Sequence, residues 1–125
     1  MDRSRAVDLP LEAASVALSR RFVRAVLDDW GLTALLDEAL LLTSEVVTNA
    51  LLHAGTPRAL LEVHRLADGV RVEVTDRNPA VPRVRRFSSS SGTGRGMALV
   101  EAWSRSWGTV PSPPGKTVWF ELAMR

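Results

Sequence analysis

Glu45 and Asn49 stand one helical turn apart in the segment SEVVTNALLHA, residues 44 to 54. Residues four apart share a helix face, so a carboxylate and an amide project side by side from a helix whose other face carries Leu36, Leu40, Val47 and Leu51. A carboxylate can hold a nucleophile or a water, and an amide oxygen is a hard ligand suited to Mg²⁺. Asn is also a poor residue for a helix interior, so its place among strong helix formers is a local cost that a site would explain. Taken alone, the pair is equally well explained as a solvated helix face.

A second feature concerns anions. Gly92, Gly94 and Gly96 lead into an apolar segment; glycines let backbone N–H groups approach a phosphate, and a helix N-terminus adds positive potential. A flexible Ser/Gly hinge explains them too. The spacing is not GxGxxG, and the segment follows an aperiodic stretch instead of a strand, which excludes the dinucleotide fingerprint. That stretch, from Asn78 through four consecutive Ser to Ser91, reads as a long mobile loop. It carries Arg83, Arg85 and Arg86, either a solvated cluster or an anion-facing one.

Other motifs fail on context. Gly115, Lys116 and Thr117 imitate the end of a P-loop, but its earlier glycine would fall at 110, where Val stands, and a strand follows instead of a helix. His53 and His64 lie on different elements with no second ligand nearby in sequence, which argues against zinc. No serine-centred nucleophile elbow occurs.

The elements that must position these residues follow from periodicity. Residues 5 to 10 suit a short edge strand ending at Pro10. An amphipathic helix follows over 15 to 29, with Phe22, Val23, Val26 and Leu27 inward, and Gly31 stops it. Thr33 is expected to cap the helix bearing Glu45 and Asn49, which Gly55 and Pro57 close. Residues 59 to 66 and 70 to 76 alternate about Asp68 and Gly69, a hairpin signal, with Val70, Val72 and Val74 on one side and Arg71, Glu73 and Thr75 on the other. Asp76 then ends a half-buried strand. After the loop come a helix to about Arg105 and two closing strands, near 107 to 110 and 116 to 123. The order predicts an α/β two-layer sandwich with a mixed, mostly antiparallel sheet and helices on one face.

Composition bounds the partners. The 125 residues suit one domain with a real core, and no apolar run approaches the ~18 residues that span a bilayer. Without Cys there is neither a disulfide framework nor a thiolate metal site. No signal-peptide core opens the chain, so a cytoplasmic protein without membrane contact is expected. Fifteen Arg against one Lys leave a net charge of only +2, and no basic stripe interleaved with aromatics supports direct nucleic-acid binding.

Taken in order, SEVVTNALLHA, VTDRNPAVP, GTGRGMALVE and GKTVWFEL resemble the GHKL, histidine-kinase-like ATPase superfamily. Within it the chain is most similar to the small anti-sigma-factor serine/threonine kinases of the stress-response and sporulation type, in their actinobacterial form. The superfamily often places glycines after its Asp, whereas Arg77, Asn78 and Pro79 follow here, the pattern of that subgroup. The resemblance covers residue 10 to the C-terminus. It implies a Bergerat-type fold over 1–125 with a lid loop at about 77–95, ATP and Mg²⁺ as cofactors, Glu45 as general base, and Asn49 as the Mg²⁺ ligand. It further implies Asp76 as the adenine reader, Gly92, Gly94 and Gly96 as the lid hinge, Arg85, Arg86 and Arg95 as candidate phosphate contacts, and Thr117 as support for the adenine pocket. The implied activity is phosphorylation of a Ser or Thr of an antagonist protein and sequestration of a sigma factor. The alternative is a non-catalytic nucleotide-binding partner-switching module. The first helix, with Arg20, Arg21 and Arg24, is either an ordinary amphipathic surface or a partner and homodimer interface.

Overall fold

The computed structural model describes residues 2–53, 55–77 and 94–124, with only the backbone of 94–96. Strand β1 (Ser4–Pro10) leads into helix α1 (Ala14–Trp30) and, after a 3-10 turn at Thr33–Leu35, into α2 (Leu36–His53). The hairpin β2 (Arg58–Leu66) and β3 (Gly69–Asp76) follows, then α3 (Gly94–Trp103), β4 (Ser106–Ser112) and β5 (Gly115–Ala123). The five strands lie in the order β1-β2-β3-β5-β4. Every neighbouring pair is antiparallel, so the sheet is not mixed. The family of connections explains this: β5 turns back from edge strand β4 and inserts between β4 and β3.

The core is the helix side of the sheet. Leu61, Val63, Val70, Val72, Phe120 and Leu122 point inward with at most 2% exposure, against Val23, Val26, Leu27, Leu42, Val46 and Val47 of the helices. Helix α2 packs on α1, α3, β3 and β5, so the helix bearing Glu45 and Asn49 lies at the centre of the helical layer. Its Ala39, Leu40, Leu42, Thr43, Val46, Val47 and Asn49 are buried, a wider buried face than the Leu36–Leu40–Val47–Leu51 stripe suggests. Among the described residues no helix is long and apolar enough to cross a membrane.

Two local expectations are corrected. Thr33 does not cap α2: it is the first residue of the 3-10 turn that runs directly into the helix, and Leu32 precedes that turn. Gly69 is not a turn residue either. The loop is Ala67–Asp68, Leu66 pairs with Gly69, and Gly69 has no positive φ. Its reason is close approach, since a Cβ there would collide with the Leu122 carbonyl of β5.

The opposite face of the sheet is polar and tied by charge. Arg71 donates to Glu73 Oε2 at 2.6 Å and to Glu121 Oε2 at 2.9 Å, and its guanidinium stacks 4.0 Å from the Trp119 ring centroid, a cation–π contact. Arg105 bridges Glu121 Oε1, at 3.1 Å, and Asp68. Burial pushes the Glu121 carboxyl up, but the two guanidiniums outweigh it and hold the group below its ordinary 4.5. A depressed folded-state pKa stabilises the fold above the ordinary value and loses that contribution as pH falls through the folded one. The melting temperature should therefore drop on acidification below about pH 4.5, and Glu121→Gln should be less stable at neutral pH with a shallower acid decline. Superimposable pH profiles of the two proteins in thermal melts would refute this.

Candidate functional site

Six polar residues are buried among the described ones: Ser15, Ser19, Thr43, Asn49, Asp76 and Thr117. Burying a polar group is costly unless it is paired, so each needs a reason. Ser15 bonds the Pro10 carbonyl and Ser19 Oγ the Val16 carbonyl at 2.7 Å, local bonds that settle the α1 start. Thr43 Oγ1 has no partner. The other three are residues singled out from sequence.

Asp76 ends β3 on the same face as Val72 and Val74, the helix side, and is 4% exposed. Its Oδ2 accepts from Lys116 Nζ at 2.7 Å, with the two side chains 5% and 25% exposed. Gly115 lies against the same residue: a Cβ there would strike the Asp76 carbonyl and Oδ1. The first two residues of β5 therefore enclose the carboxylate, one by having no side chain and the other by supplying an ammonium. Sequence reading missed both, yet strand alternation holds the signal. Val118, Phe120 and Leu122 face inward, so Lys116, two residues before Val118, must face inward as well.

The same alternation places Thr117. It pairs with Thr75 across β3 and β5, and the two hydroxyls meet at 2.8 Å on the face away from the helices. Lys116, the preceding residue of β5, faces inward to Asp76. A shallow depression of about 400 Å³ does involve Thr117, Thr75, Arg77, Pro113 and Pro114, but it belongs to the open face and does not contain Asp76.

Asn49 lies in the interior of α2, 7% exposed, and Glu45, one turn earlier, is partly exposed. The carboxylate thus reaches the surface while the amide is held within the layer. Arg20 of α1 fixes the adjoining turn, donating from Nη1 to Ser44 Oγ at 2.9 Å and to the Leu40 carbonyl at 3.2 Å. The sequence suggests only a surface or interface for Arg20; the structure makes it a brace on the helix that carries Glu45.

Of the remaining site residues, Gly94, Arg95 and Gly96 form the first turn of α3. Arg85, Arg86, Gly92 and almost all of the expected lid, 78–93, lie outside the described residues.

One His/Asp/Glu group could hold a metal among the described residues: Glu62, His64 and Glu73, whose ligand atoms lie within 4.8 Å of one another. It assembles across β2 and β3, where Glu62 faces Glu73, which spacing along the chain does not reveal. His64 Nε2 is 3.4 Å from Glu73 Oε1 without hydrogen-bond geometry. Arg71 already provides a cation at Glu73, and the group sits on the face opposite Asp76. It is an ion-pair cluster of the open face, separate from the candidate site.

A carboxylate at a central strand end, an Asn in the overlying helix and a glycine-bearing helix start define an ATP-binding α/β domain. The chain belongs to the histidine kinase-like ATPase domain family, whose model matches residues 9–122. No curated protein matches the chain significantly.

The close approach at Gly115 yields a test. Gly115→Ala must displace either β5 or Asp76, and backbone overpacking of this kind costs roughly 1–3 kcal/mol. A fall in melting temperature and reduced stabilisation by ATP are expected in a thermal shift assay. Unchanged values for both would refute the packing of Gly115 on Asp76.

Proposed function

We propose that this chain is an ATP-binding regulatory serine/threonine-protein kinase of the anti-sigma-factor type. It transfers a γ-phosphoryl group to a Ser or Thr of an antagonist protein and sequesters a sigma factor when that antagonist is absent. The observation that carries the reading is Asp76, a carboxylate held at 4% exposure at the end of a central strand, beneath the helix with Glu45 and Asn49. The four motifs in order support the kinase subgroup.

In this reading Asp76 accepts a hydrogen bond from the adenine amino group, for which guanine offers a carbonyl instead. Asn49 supplies the amide oxygen for Mg²⁺, an ion that takes most of its ligands from phosphate and water. Glu45, nearer the surface, receives the proton of the attacking hydroxyl. Phosphoryl transfer needs chiefly positioning and charge stabilisation; the first turn of α3 offers N–H groups, and Arg85, Arg86 and Arg95 are the candidate cations. The exposed face of α1, with Leu18, Arg21 and Arg24, is the proposed surface for protein partners or a second copy.

A non-catalytic partner-switching module is the second reading, and the Lys116–Asp76 pair favours it. That contact gives the carboxylate a partner within the chain, as a domain retained for its fold alone would need.

Two experiments separate these readings. ATP at about 100 times its Kd should stabilise the wild type by about 2.7 kcal/mol, GTP should do far less, and Asp76→Ala should lose the ATP effect. Equal responses to ATP and GTP, or an unaltered Asp76→Ala, would sink the adenine assignment. With the cognate antagonist, Glu45→Ala should keep ATP binding and lose ~10²–10⁴-fold in transfer rate, while Asn49→Ala should lose the Mg²⁺ dependence of binding. Wild-type transfer no faster than that of Glu45→Ala decides for the scaffold.

A further inference from the structure

Lys116 is the only lysine in a chain with fifteen arginines, and its ammonium sits on the carboxylate assigned to adenine. Resting on the reading of Asp76 as the adenine acceptor, we propose that Lys116 is an internal competitor for that carboxylate: the ammonium holds Oδ2 in the nucleotide-free chain, and an adenine amino group binds by taking its place.

The geometry leaves little room for sharing. Oδ2 accepts from Nζ at 2.7 Å. Oδ1 is packed against Gly115, where a Cβ would strike it. The Asp76 side chain is only 5% exposed, whereas that of Lys116 is 25% exposed, so the lysine forms the solvent side of the pair. A donor arriving from solvent reaches the carboxylate where the ammonium stands. Lysine suits such a contact, being a point charge on a flexible four-carbon stem, without the fixed fork of arginine. An N⁺–H···O⁻ bond is also stronger than one from a neutral amino group. Exchanging the first for the second therefore opposes binding, and the competitor sets how much the remainder of the nucleotide must contribute.

Competition at the adenine end has a signature that a phosphate contact lacks: the effect of removing Lys116 should be the same for adenosine, ADP and ATP. Calorimetric titration of the full chain and of Lys116→Met with these three ligands is the test. Tighter binding to Lys116→Met by about tenfold for each is expected, about 1.4 kcal/mol, the scale of one charge-assisted hydrogen bond. Lys116→Arg, which keeps a cation on the same strand position, should stay nearer the wild type. Unchanged or weaker binding by Lys116→Met overturns the proposal, as does a loss that grows from adenosine to ATP. Asp76→Ala run in parallel distinguishes the two levels: if it binds ATP like the wild type, the adenine site itself is misassigned, and if it loses binding while Lys116→Met gains none, only the competition fails.

Should Lys116→Met not fold, the wild type carries the test. Acetylation by an amine-selective ester, followed by mass spectrometry of the peptide that holds residue 116, reports on Lys116, because these 125 residues hold no other lysine. Adenosine should release the ammonium and raise its labelling rate several-fold. Protection, or no change at saturating adenosine, would overturn the exchange.

Discussion

The register between β3 and β5 is the constraint on which both core and site depend. It runs from Gly69 opposite Ala123 to Thr75 opposite Thr117. Along it Val72 and Phe120 enter the core, Arg71 and Glu121 meet on the open face, and Asp76 arrives beside the first residues of β5. Side chains alternate with period two, so a slip of one residue would invert the whole strand. Phe120 would turn to water and Thr117 would replace Lys116 on the helix side. The hydrophobic pattern that makes the slip prohibitive thereby also specifies the neighbour of Asp76, and the electrostatics of the site are inherited from the packing of the sheet.

This explains what could be read from the sequence and what could not. The hairpin, the inward valines and the burial of Asp76 follow from alternation within one segment, and α1 follows from its own periodicity. Glu45 and Asn49 share a helix for the same local reason. Lys116 beside Asp76 needs a further step, the pairing of strands forty residues apart, even though each strand's facing is legible alone. At Gly69 an Asp-Gly pair in a hairpin suggests turn conformation, whereas the glycine answers a contact with Leu122 from a strand yet to come. His64 has Glu62 on its own strand face, and Glu73 joins them only because β2 and β3 pair. Thr33 shows the limit of cap signals: a tight 3-10 turn at its own position displaced the helix start.

The two sheet faces divide the labour. The helix side combines a dense apolar core with a few buried polar groups, Asp76 among them, paired with Lys116. The open side uses Arg71, Arg105, Glu73, Glu121 and Asp68 in linked pairs, with Trp119 under a guanidinium. Arg20 extends the same economy to the helices, tying α1 to the turn of α2 before Glu45. In an α1–α2 pair braced in this way, a load on α1 is borne partly by the backbone that positions the Glu45 carboxylate.

The two outer strands carry a different consequence. β1 terminates in Pro10 and β4 contains Pro111, and proline has no N–H to offer an added strand. Arg5 and Asp8 place charge along β1, where Arg5 bonds Asp29 at 2.7 Å and Asp8 accepts from Arg58 at 2.9 Å. An open antiparallel sheet is a ready template for a further strand from another molecule, and proline with charge at the rim is how natural sheets discourage it. Colloidal integrity is thus encoded at the margins: self-association through lateral β-pairing is disfavoured.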